Sequence, residues 1–196
     1  PEFDSLYLKY EKDKSIPKQT IGAQELFQAL LKERAETGRI YIMNLDHCNT
    51  HSSFKDKVYM SNLCQEITLP TTPVQHIDDK EGEIALCILS AVNLGLLTDM
   101  NELEELCDLS VRALDEIIDY QEYPVEAAKI SAQSRRSLGI GYIGLAHYLA
   151  KNQVKYEDKK AWKLVDKITE AFQFYLLKAS NNLAKEKTKC LWFEKT

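Results

Sequence analysis

The sequence lacks several features that would assign it to a specialised class of protein. No apolar run reaches the ~18–20 residues of a membrane span, and the opening residues do not have the pattern of a signal peptide. Basic residues are not in excess, because 25 Lys and Arg stand against 30 Asp and Glu and give a net charge of −5. Such a chain lacks the electrostatic footprint of a protein that binds nucleic acid or an anionic membrane. We therefore expect a soluble, cytoplasmic protein with neither kind of partner.

The remaining composition is that of a globular protein, with 44% hydrophobic and 28% charged residues among 196. A disordered chain would combine few hydrophobic residues with a high net charge. The length fits one domain, at most two, and neither an internal repeat nor a low-complexity linker divides it.

Cysteine is the residue type that calls for an explanation. The chain has five cysteines, an odd number that cannot pair completely within one chain, and it has no CxxC motif. In a cytoplasmic protein, thiols serve chemistry or metal binding more often than structural disulfides. One or two of these thiols are therefore expected to have a chemical role.

The first half of the sequence alternates between polar and short apolar segments. Residues 1–20 predict an exposed polar lead-in, and the apolar spacing that follows predicts a helix ending at Gly38. Residues 39–45 favour a β-strand, and residues 58–69, closed by prolines, favour extended chain. The apolar run 84–97 predicts a buried strand of a parallel sheet, although a buried helix shares this pattern.

The second half is more clearly helical. Asn101 and Glu104 have the spacing of a capping box at the start of a helix that ends near Tyr123. A second long helix is predicted over residues 158–187, with a buried stripe that begins at Trp162. Helices alternating with short strands predict a mixed α/β fold.

A first candidate site is the polar cluster of residues 46–51. Asp46, His47, Cys48 and His51 are all metal-ligand types, but structural zinc sites usually complete four ligands with a second Cys/His pair. Polar side chains that hydrogen-bond within their own turn explain the cluster better, so we expect no metal here.

A second candidate is the GxGxxG pattern formed by Gly139, Gly141 and Gly144, with Asp158 near the distance of a ribose-binding acid. A polar stretch precedes the pattern where a buried strand would be required, and no clear apolar strand follows Leu149. Glycines that let a strand pack closely against a helix explain the spacing, so dinucleotide binding is the less favoured alternative.

A third candidate combines Asn62, Cys64 and Glu66 with Cys87. In an extended segment alternate side chains share a face, so an amide, a thiol and a carboxylate would meet there. A strand with one polar face and a cysteine of no special role fits the same residues, and spacing alone does not decide between these interpretations.

Longer stretches resemble one family. Residues 38–51, 61–70, 82–95, 135–141 and 175–181 resemble the large, catalytic subunit of class I aerobic ribonucleotide reductase. The similarity extends over essentially the whole chain, and Asn-x-Cys-x-Glu in this setting is a specific motif. The resemblance covers a middle-to-late portion of that subunit, so it implies a split or excised part that is inactive without the remainder. A non-catalytic barrel fragment is the alternative, and the intact Asn62, Cys64 and Glu66 disfavour it.

The resemblance implies a role for each residue of the third candidate. Cys64 would become a transient thiyl radical that abstracts the 3′ hydrogen of the substrate. Glu66 would take the 3′-hydroxyl proton, and Asn62 would hold the sugar by hydrogen bonds. Cys87 would be one of two thiols that reduce the 2′ position and finish as a disulfide. Cys48, Cys107 and Cys190 receive no role, and Cys107 is expected to be a small buried hydrophobic residue.

The resemblance also implies a fold and a set of partners. The family fold is a ten-stranded α/β barrel with the radical cysteine on a central finger loop. Residues 1–37 would then be a helical lead-in, 38–97 barrel strands and finger loop, and 98–196 mainly helical with one short strand. The implied partners are the rest of the large subunit, a metal-containing small subunit that supplies the radical, thioredoxin or glutaredoxin, and a ribonucleoside diphosphate. No cofactor would be bound by this chain, and nucleotide effectors would bind elsewhere in the subunit.

Overall fold

The computed structural model describes residues 2–195, which divide into two compact units, one ending at Met43 and the other beginning at Asn44. The first unit holds helices α1 (Glu2–Lys12) and α2 (Ala23–Thr37), neither of which contains a buried residue. The predicted end of α2 is confirmed, because Gly38 adopts a left-handed φ of 65° and its N–H donates to the carbonyl of Arg34. The lead-in is exposed as expected, but it is helical over most of its first half.

The strand predicted over residues 39–45 is wrong. Residues 39–44 have no regular secondary structure, and helix α3 (Leu45–Thr50) is the first helix of the second unit. An extended segment becomes a strand only when a neighbour satisfies its backbone groups. None of the strands within residues 2–195 pairs with this segment.

The second unit is built on a parallel pair of strands, β1 (Ile88–Asn93) and β2 (Leu138–Ile143). Their register runs from Ile88 opposite Leu138 to Asn93 opposite Ile143. The parallel strand predicted within residues 84–97 is confirmed, although it is shorter and continues into a 3₁₀ turn at Leu94–Leu96. These two strands form the whole sheet in the part of the chain that the structure describes.

Four helices complete the second unit and confirm its mixed α/β class. Helices α4 (Glu102–Tyr120) and α5 (Glu126–Arg135) connect β1 to β2, and helices α6 (Leu145–Lys151) and α7 (Lys159–Glu186) follow β2. A 3₁₀ turn at Phe193–Lys195 ends the described chain. Across residues 2–195, no helix is both long enough and apolar enough to cross a membrane.

The core lies where α4 and α7 pack against each other and against the sheet. Its buried members are Val92, Leu94, Leu97, Leu103, Cys107, Ile168 and Phe172. Cys107 is a fully buried core residue, as expected, and burial raises the pKa of its thiol to about 11. A thiol with that pKa stays protonated and unreactive at neutral pH.

Two details of these helices differ from the sequence-based expectation. Asn101 makes no side-chain capping bond, because its backbone is already helical, with φ −66° and ψ −24°, whereas a capping residue is not. Its side chain and N–H instead donate to the carboxylate of Asp99. Trp162, predicted to begin the buried stripe of α7, is 63% exposed. The predicted capping box is wrong, and so is the predicted start of the buried stripe. The later part of the stripe is confirmed, because Ala179 and Leu183 are buried.

Candidate active site

The Asn-x-Cys-x-Glu residues lie in a tight turn. The N–H of Gln65 donates to the carbonyl of Asn62 at 3.2 Å, and Gln65 adopts a left-handed φ of 61°. The Asn62 side chain closes the loop, because its Oδ1 accepts from the N–H of Ile67 at 3.1 Å. Ser61 adds a second closure by donating from Oγ to the carbonyl of Ile67 at 2.6 Å.

This turn corrects the expectation of alternate side chains on an extended strand. A chain reversal between Asn62 and Gln65 interrupts the two-residue period on which that expectation depended. Asn62, Cys64 and Glu66 lie on one loop, and all three are exposed. Within residues 2–195, no hydrogen bond joins any two of the side chains of Asn62, Cys64, Glu66 and Cys87.

Cys87 lies in a different environment, immediately before β1. Its side chain is half-buried, and burial raises the pKa of its thiol. Its Sγ is 3.7 Å from the carbonyl oxygen of Ile88, a long contact. Of the two cysteines predicted to be functional, Cys64 is exposed on the loop and Cys87 is half-buried at the entrance to strand β1.

Gly139 on strand β2 lies close both to Cys87 and to Ile67 at the end of the loop. A Cβ atom at Gly139 would lie 2.9 Å from Cys87 Sγ, 2.5 Å from Leu89 Cδ2 and 3.8 Å from Ile67 Cδ1. Ile67 is the residue that the Asn62 side chain holds. The loop therefore reaches the neighbourhood of Cys87 through Ile67.

A cleft of about 730 Å³ opens beside the loop. Asn62 and Ile67 line it together with Tyr59, Met60 and Leu69, and residues 71–74 and 83–85 form its other parts. Ligand sites are commonly clefts of this size, largely apolar with a few polar groups. Asn62 is the one predicted site residue that lines it; Cys64, Glu66 and Cys87 are not among its lining residues.

A buried ion pair lies behind the cleft, between Glu83 and Arg135. Arg135 donates from Nε and Nη2 to the Glu83 carboxylate, which also accepts from Ser131 Oγ at 3.1 Å. The guanidinium lies 4.9 Å from the ring centre of Trp192 and 5.6 Å from that of Phe54. Sequence reasoning missed this pair, although residues 135–141 were among the matching stretches, since nothing local indicates that residues 52 positions apart meet.

Asn49 is a second residue that sequence reasoning missed. Its amide binds both backbone groups of Val58, donating to the carbonyl at 2.8 Å and accepting from the N–H at 2.8 Å. Val58 is almost completely buried. Asn49 thereby fixes the start of the segment that leads to Asn62.

The polar cluster of residues 46–51 is a short helix with its C-terminal cap, not a loop. Thr50 Oγ1 donates to the carbonyl of Asp46 at 2.7 Å, and His51 Nδ1 lies 3.0 Å from the carbonyl of His47. Among residues 2–195, no three His, Cys, Asp or Glu side chains are arranged to hold a metal ion.

The glycine pattern is also placed differently from a dinucleotide-binding turn. Gly139 and Gly141 lie inside strand β2, and Gly144 precedes the seven-residue helix α6. The expectation that Gly139 and Gly141 let the strand pack closely against a helix is wrong, because Gly139 approaches the neighbouring strand and the loop, and a Cβ at Gly141 would meet no atom within 4 Å. Gly139 and Gly141 therefore lie within a strand, and not in the turn after the strand where the motif places its first two glycines.

Comparison with known proteins agrees with the resemblance. The family described as ribonucleotide reductase, barrel domain, matches residues 1–196. The chain is 59% identical to proteins named ribonucleoside-diphosphate reductase subunit alpha from Buchnera aphidicola subsp. Schizaphis graminum and from Haemophilus influenzae. It is 58% identical to ribonucleoside-diphosphate reductase 1 subunit alpha of Escherichia coli.

Each of these three alignments covers 100% of this chain and 26% of the relative. The chain thus spans about a quarter of the length of the curated relatives that it matches. The family match extends over every residue of the chain, the loop with Cys64 and the strand after Cys87 included. This chain belongs to the ribonucleotide reductase barrel domain family.

Proposed function

We propose that the chain is a catalytic portion of a ribonucleoside-diphosphate reductase, which reduces ribonucleotides to 2′-deoxyribonucleotides for DNA synthesis. The observation that carries this proposal is the family match over residues 1–196, within which the Asn-x-Cys-x-Glu motif is intact. Relatives that are 58–59% identical bear the name of this enzyme's alpha subunit. The cleft beside the loop supports the proposal, because Asn62 lines it.

In this proposal the loop residues act on the ribose. Cys64, as a thiyl radical, takes the hydrogen atom from the 3′ carbon and becomes a thiol, and after the 2′ reduction it returns a hydrogen atom to the 3′ carbon and is a thiyl radical again. Glu66 accepts the proton of the 3′ hydroxyl, a general-base role that needs hydrogen-bond reach. Asn62 donates from its amide to the sugar oxygen. The exposed positions of all three side chains leave them free to meet a substrate.

Cys87 supplies the electrons for the second part of the reaction. Together with a second thiol, it gives two electrons and two protons as the 2′ hydroxyl leaves as water and the two sulfurs join. None of the remaining cysteines is assigned as that second thiol, which we place in another part of the subunit. Thioredoxin or glutaredoxin would restore the dithiol.

The rest of the subunit is the first partner that the proposal requires. Leu63 is 86% exposed beside Cys64, and Leu89 is 61% exposed on β1. Large exposed apolar side chains around a reactive group mark a surface that another part of a protein covers. We propose that this surface meets the remaining strands of a ten-stranded barrel, with the loop at residues 62–67 as its finger loop, and so shields the radical from water.

Further partners follow from the same proposal. A metal-containing small subunit would supply the radical, and nucleotide effectors would bind in other parts of the large subunit. The enzyme would act in the cytoplasm on ribonucleoside diphosphates.

Replacing the thiol of Cys64 tests the assignment. In a complete alpha subunit that carries this sequence, Cys64→Ser should abolish nucleotide reduction and leave substrate binding largely intact. Cys48→Ser, which changes a cysteine without an assigned role, should keep turnover near that of the unchanged enzyme. Turnover retained by Cys64→Ser would refute the radical assignment.

The 196-residue chain assayed alone provides a second test. Mixed with the small subunit and a reductant, it should show no nucleotide reduction, because the second thiol and the covering strands are missing. Full activity of the chain alone would contradict the need for the rest of the subunit.

A further inference from the structure

Gly139 is a glycine for a reason other than backbone conformation. The described glycines with a left-handed φ are Gly38 and Gly144, so Gly139 adopts an ordinary extended conformation that any residue can take. What distinguishes Gly139 is the lack of room for a side chain. Carbon atoms in contact normally lie about 3.5–4.0 Å apart, whereas a Cβ here would lie 2.5 Å from Leu89 Cδ2 and 2.9 Å from Cys87 Sγ.

Gly141 shows that the requirement is local. It lies two residues along β2, and therefore on the same face of the strand as Gly139. A Cβ at Gly141 would have no neighbour within 4 Å. The strand thus contains one glycine whose space is occupied by other side chains and one whose space is open.

The two side chains that occupy the space at Gly139 differ in their freedom. Leu89 is 61% exposed and can swing its methyl group outward at little cost. Cys87 is half-buried and moves its sulfur only by rotating about the Cα–Cβ bond. A methyl group at position 139 would therefore drive Sγ into another staggered rotamer, a displacement on the order of 3 Å.

We propose that Gly139 is a positioning residue for the Cys87 thiol, and that the missing side chain forms the seat in which Sγ lies beside Ile67. Its consequence for catalysis rests on the proposed function, in which Cys87 must close a disulfide. Disulfide closure demands Cβ atoms roughly 3.5–4.5 Å apart and a defined dihedral angle, so a displaced sulfur would be poorly placed for it.

The placement of the thiol can be measured without any assay of nucleotide reduction. The full chain is alkylated with iodoacetamide under native conditions, and the rate at each cysteine is followed by mass spectrometry. Gly139→Ala should change the rate at Cys87 by about threefold or more, since thiol reactivity follows local burial and thiolate fraction. The rates at Cys48 and Cys190 should stay unchanged, and Gly141→Ala should leave all rates as they were.

Two results of the labelling would overturn the proposal. One is an unchanged rate at Cys87 in Gly139→Ala. The other is restoration of the original rate by adding Leu89→Ala, which would trace the effect to Leu89 and not to the seat of the sulfur.

The melting temperature provides a second test, which still reads out the collision when Gly139→Ala is destabilised. If the added methyl group collides with Sγ, the double variant Gly139→Ala/Cys87→Ala should melt at a higher temperature than Gly139→Ala alone. Absence of this recovery would overturn the proposal. These two tests are independent of the Cys64→Ser assay. Labelling and melting decide whether Gly139 positions the Cys87 thiol, and loss of turnover in Cys64→Ser decides the proposed function, so each can be refuted without the other.

Discussion

Arg135 donates from Nη2 to Oε2 of Glu83 at 3.0 Å, and both side chains are almost entirely excluded from solvent. The same nitrogen of Arg135 donates to Asp56 at 2.8 Å. One guanidinium therefore holds the segment before Asn62, the segment before Cys87 and helix α5. The two parts of the candidate active site share this anchor.

Truncating Arg135 should cost far more stability than truncating an arginine in an exposed pair. Arg135→Ala leaves the Glu83 carboxylate buried without its partner, a change that costs about 3–5 kcal/mol in comparable cases. Arg112→Ala is the control, because Arg112 binds Asp108 and Glu186 between exposed side chains, and such pairs contribute about 0–1 kcal/mol. Chemical denaturation of both variants measures the two free energies of unfolding. Equal losses would contradict the anchoring role of Arg135.

Asp115 should make the protein less stable in acid. Burial works to raise the pKa of Asp115, but hydrogen bonds from Arg136 and Lys187 outweigh it and hold this pKa below the ordinary value of 3.8. The unfolded chain then binds the proton more readily than the folded chain, so the stabilisation is complete above the unfolded pKa. It is lost as the pH falls through the lower, folded pKa.

Unfolding measured at a series of pH values from neutral to acidic tests whether this stabilisation is lost in acid. Asp115→Asn should be less stable at neutral pH. It should also lose less stability than the unchanged protein when the pH falls below about 4, the region of the ordinary carboxyl pKa. Asp166→Asn is a suitable control, because Asp166 is exposed on α7 and joins none of the ion pairs found among residues 2–195. An unchanged acid dependence in Asp115→Asn would show that other carboxylates govern it.

Local periodicity predicted the long helices well, and the reason is physical. Helix α7 runs from Lys159 to Glu186, within one residue of the predicted bounds at each end, because an apolar stripe that packs on a core is encoded in successive residues. Trp162 shows the limit of that signal. The spacing identifies a face of the helix, but how far the neighbouring core extends along that face depends on residues distant in sequence.

The candidate site shows a different limit. The sequence was enough to single out Asn62, Cys64 and Glu66 by their residue types. It did not predict how they are arranged, because the bond from the Ile67 N–H to Asn62 turns the chain. The seat at Gly139 brings together three segments, residues 67, 87–89 and 139, which no local pattern connects. The contacts that join Glu83 to Arg135 are equally remote in sequence.

Gly144 should be intolerant of a side chain for two separable reasons. Its φ of 74° is left-handed, and a Cβ there would lie 2.3 Å from Asn93 Oδ1 and 3.0 Å from the backbone nitrogen of Gly95. The conformation alone costs about 1–2 kcal/mol for a residue with a side chain, and the collision adds to it. Gly144→Ala should therefore lower the free energy of unfolding clearly, whereas Gly141→Ala should change it by less than about 0.5 kcal/mol.

A double variant separates the two contributions. Asn93→Ala removes the colliding oxygen, together with its hydrogen bond to the Gly95 N–H at 3.1 Å. Asn93→Ala/Gly144→Ala should then lose less stability than the sum of the two single variants. Strict additivity would mean that the cost at position 144 comes from its conformation and the backbone of Gly95.

Asn49 should control the mobility of the segment that leads to the candidate catalytic loop. Asn49→Ala removes both hydrogen bonds to Val58 and leaves two backbone groups of a buried residue without a partner. Unsatisfied buried groups cost about 1–3 kcal/mol. Hydrogen exchange should show a faster-exchanging amide at Val58, because its N–H donates to Asn49.

The amide at Ile67 provides the sharper measurement. Its N–H donates to Asn62 Oδ1, so a loosened segment should weaken that bond and raise exchange there also. Asn152→Ala is the matched control, since Asn152 likewise donates to a main-chain carbonyl, that of Tyr148, at 2.8 Å, but at an exposed position. Faster exchange at Val58 with unchanged exchange at Ile67 would confine the role of Asn49 to its own contact and separate it from the loop that carries Cys64.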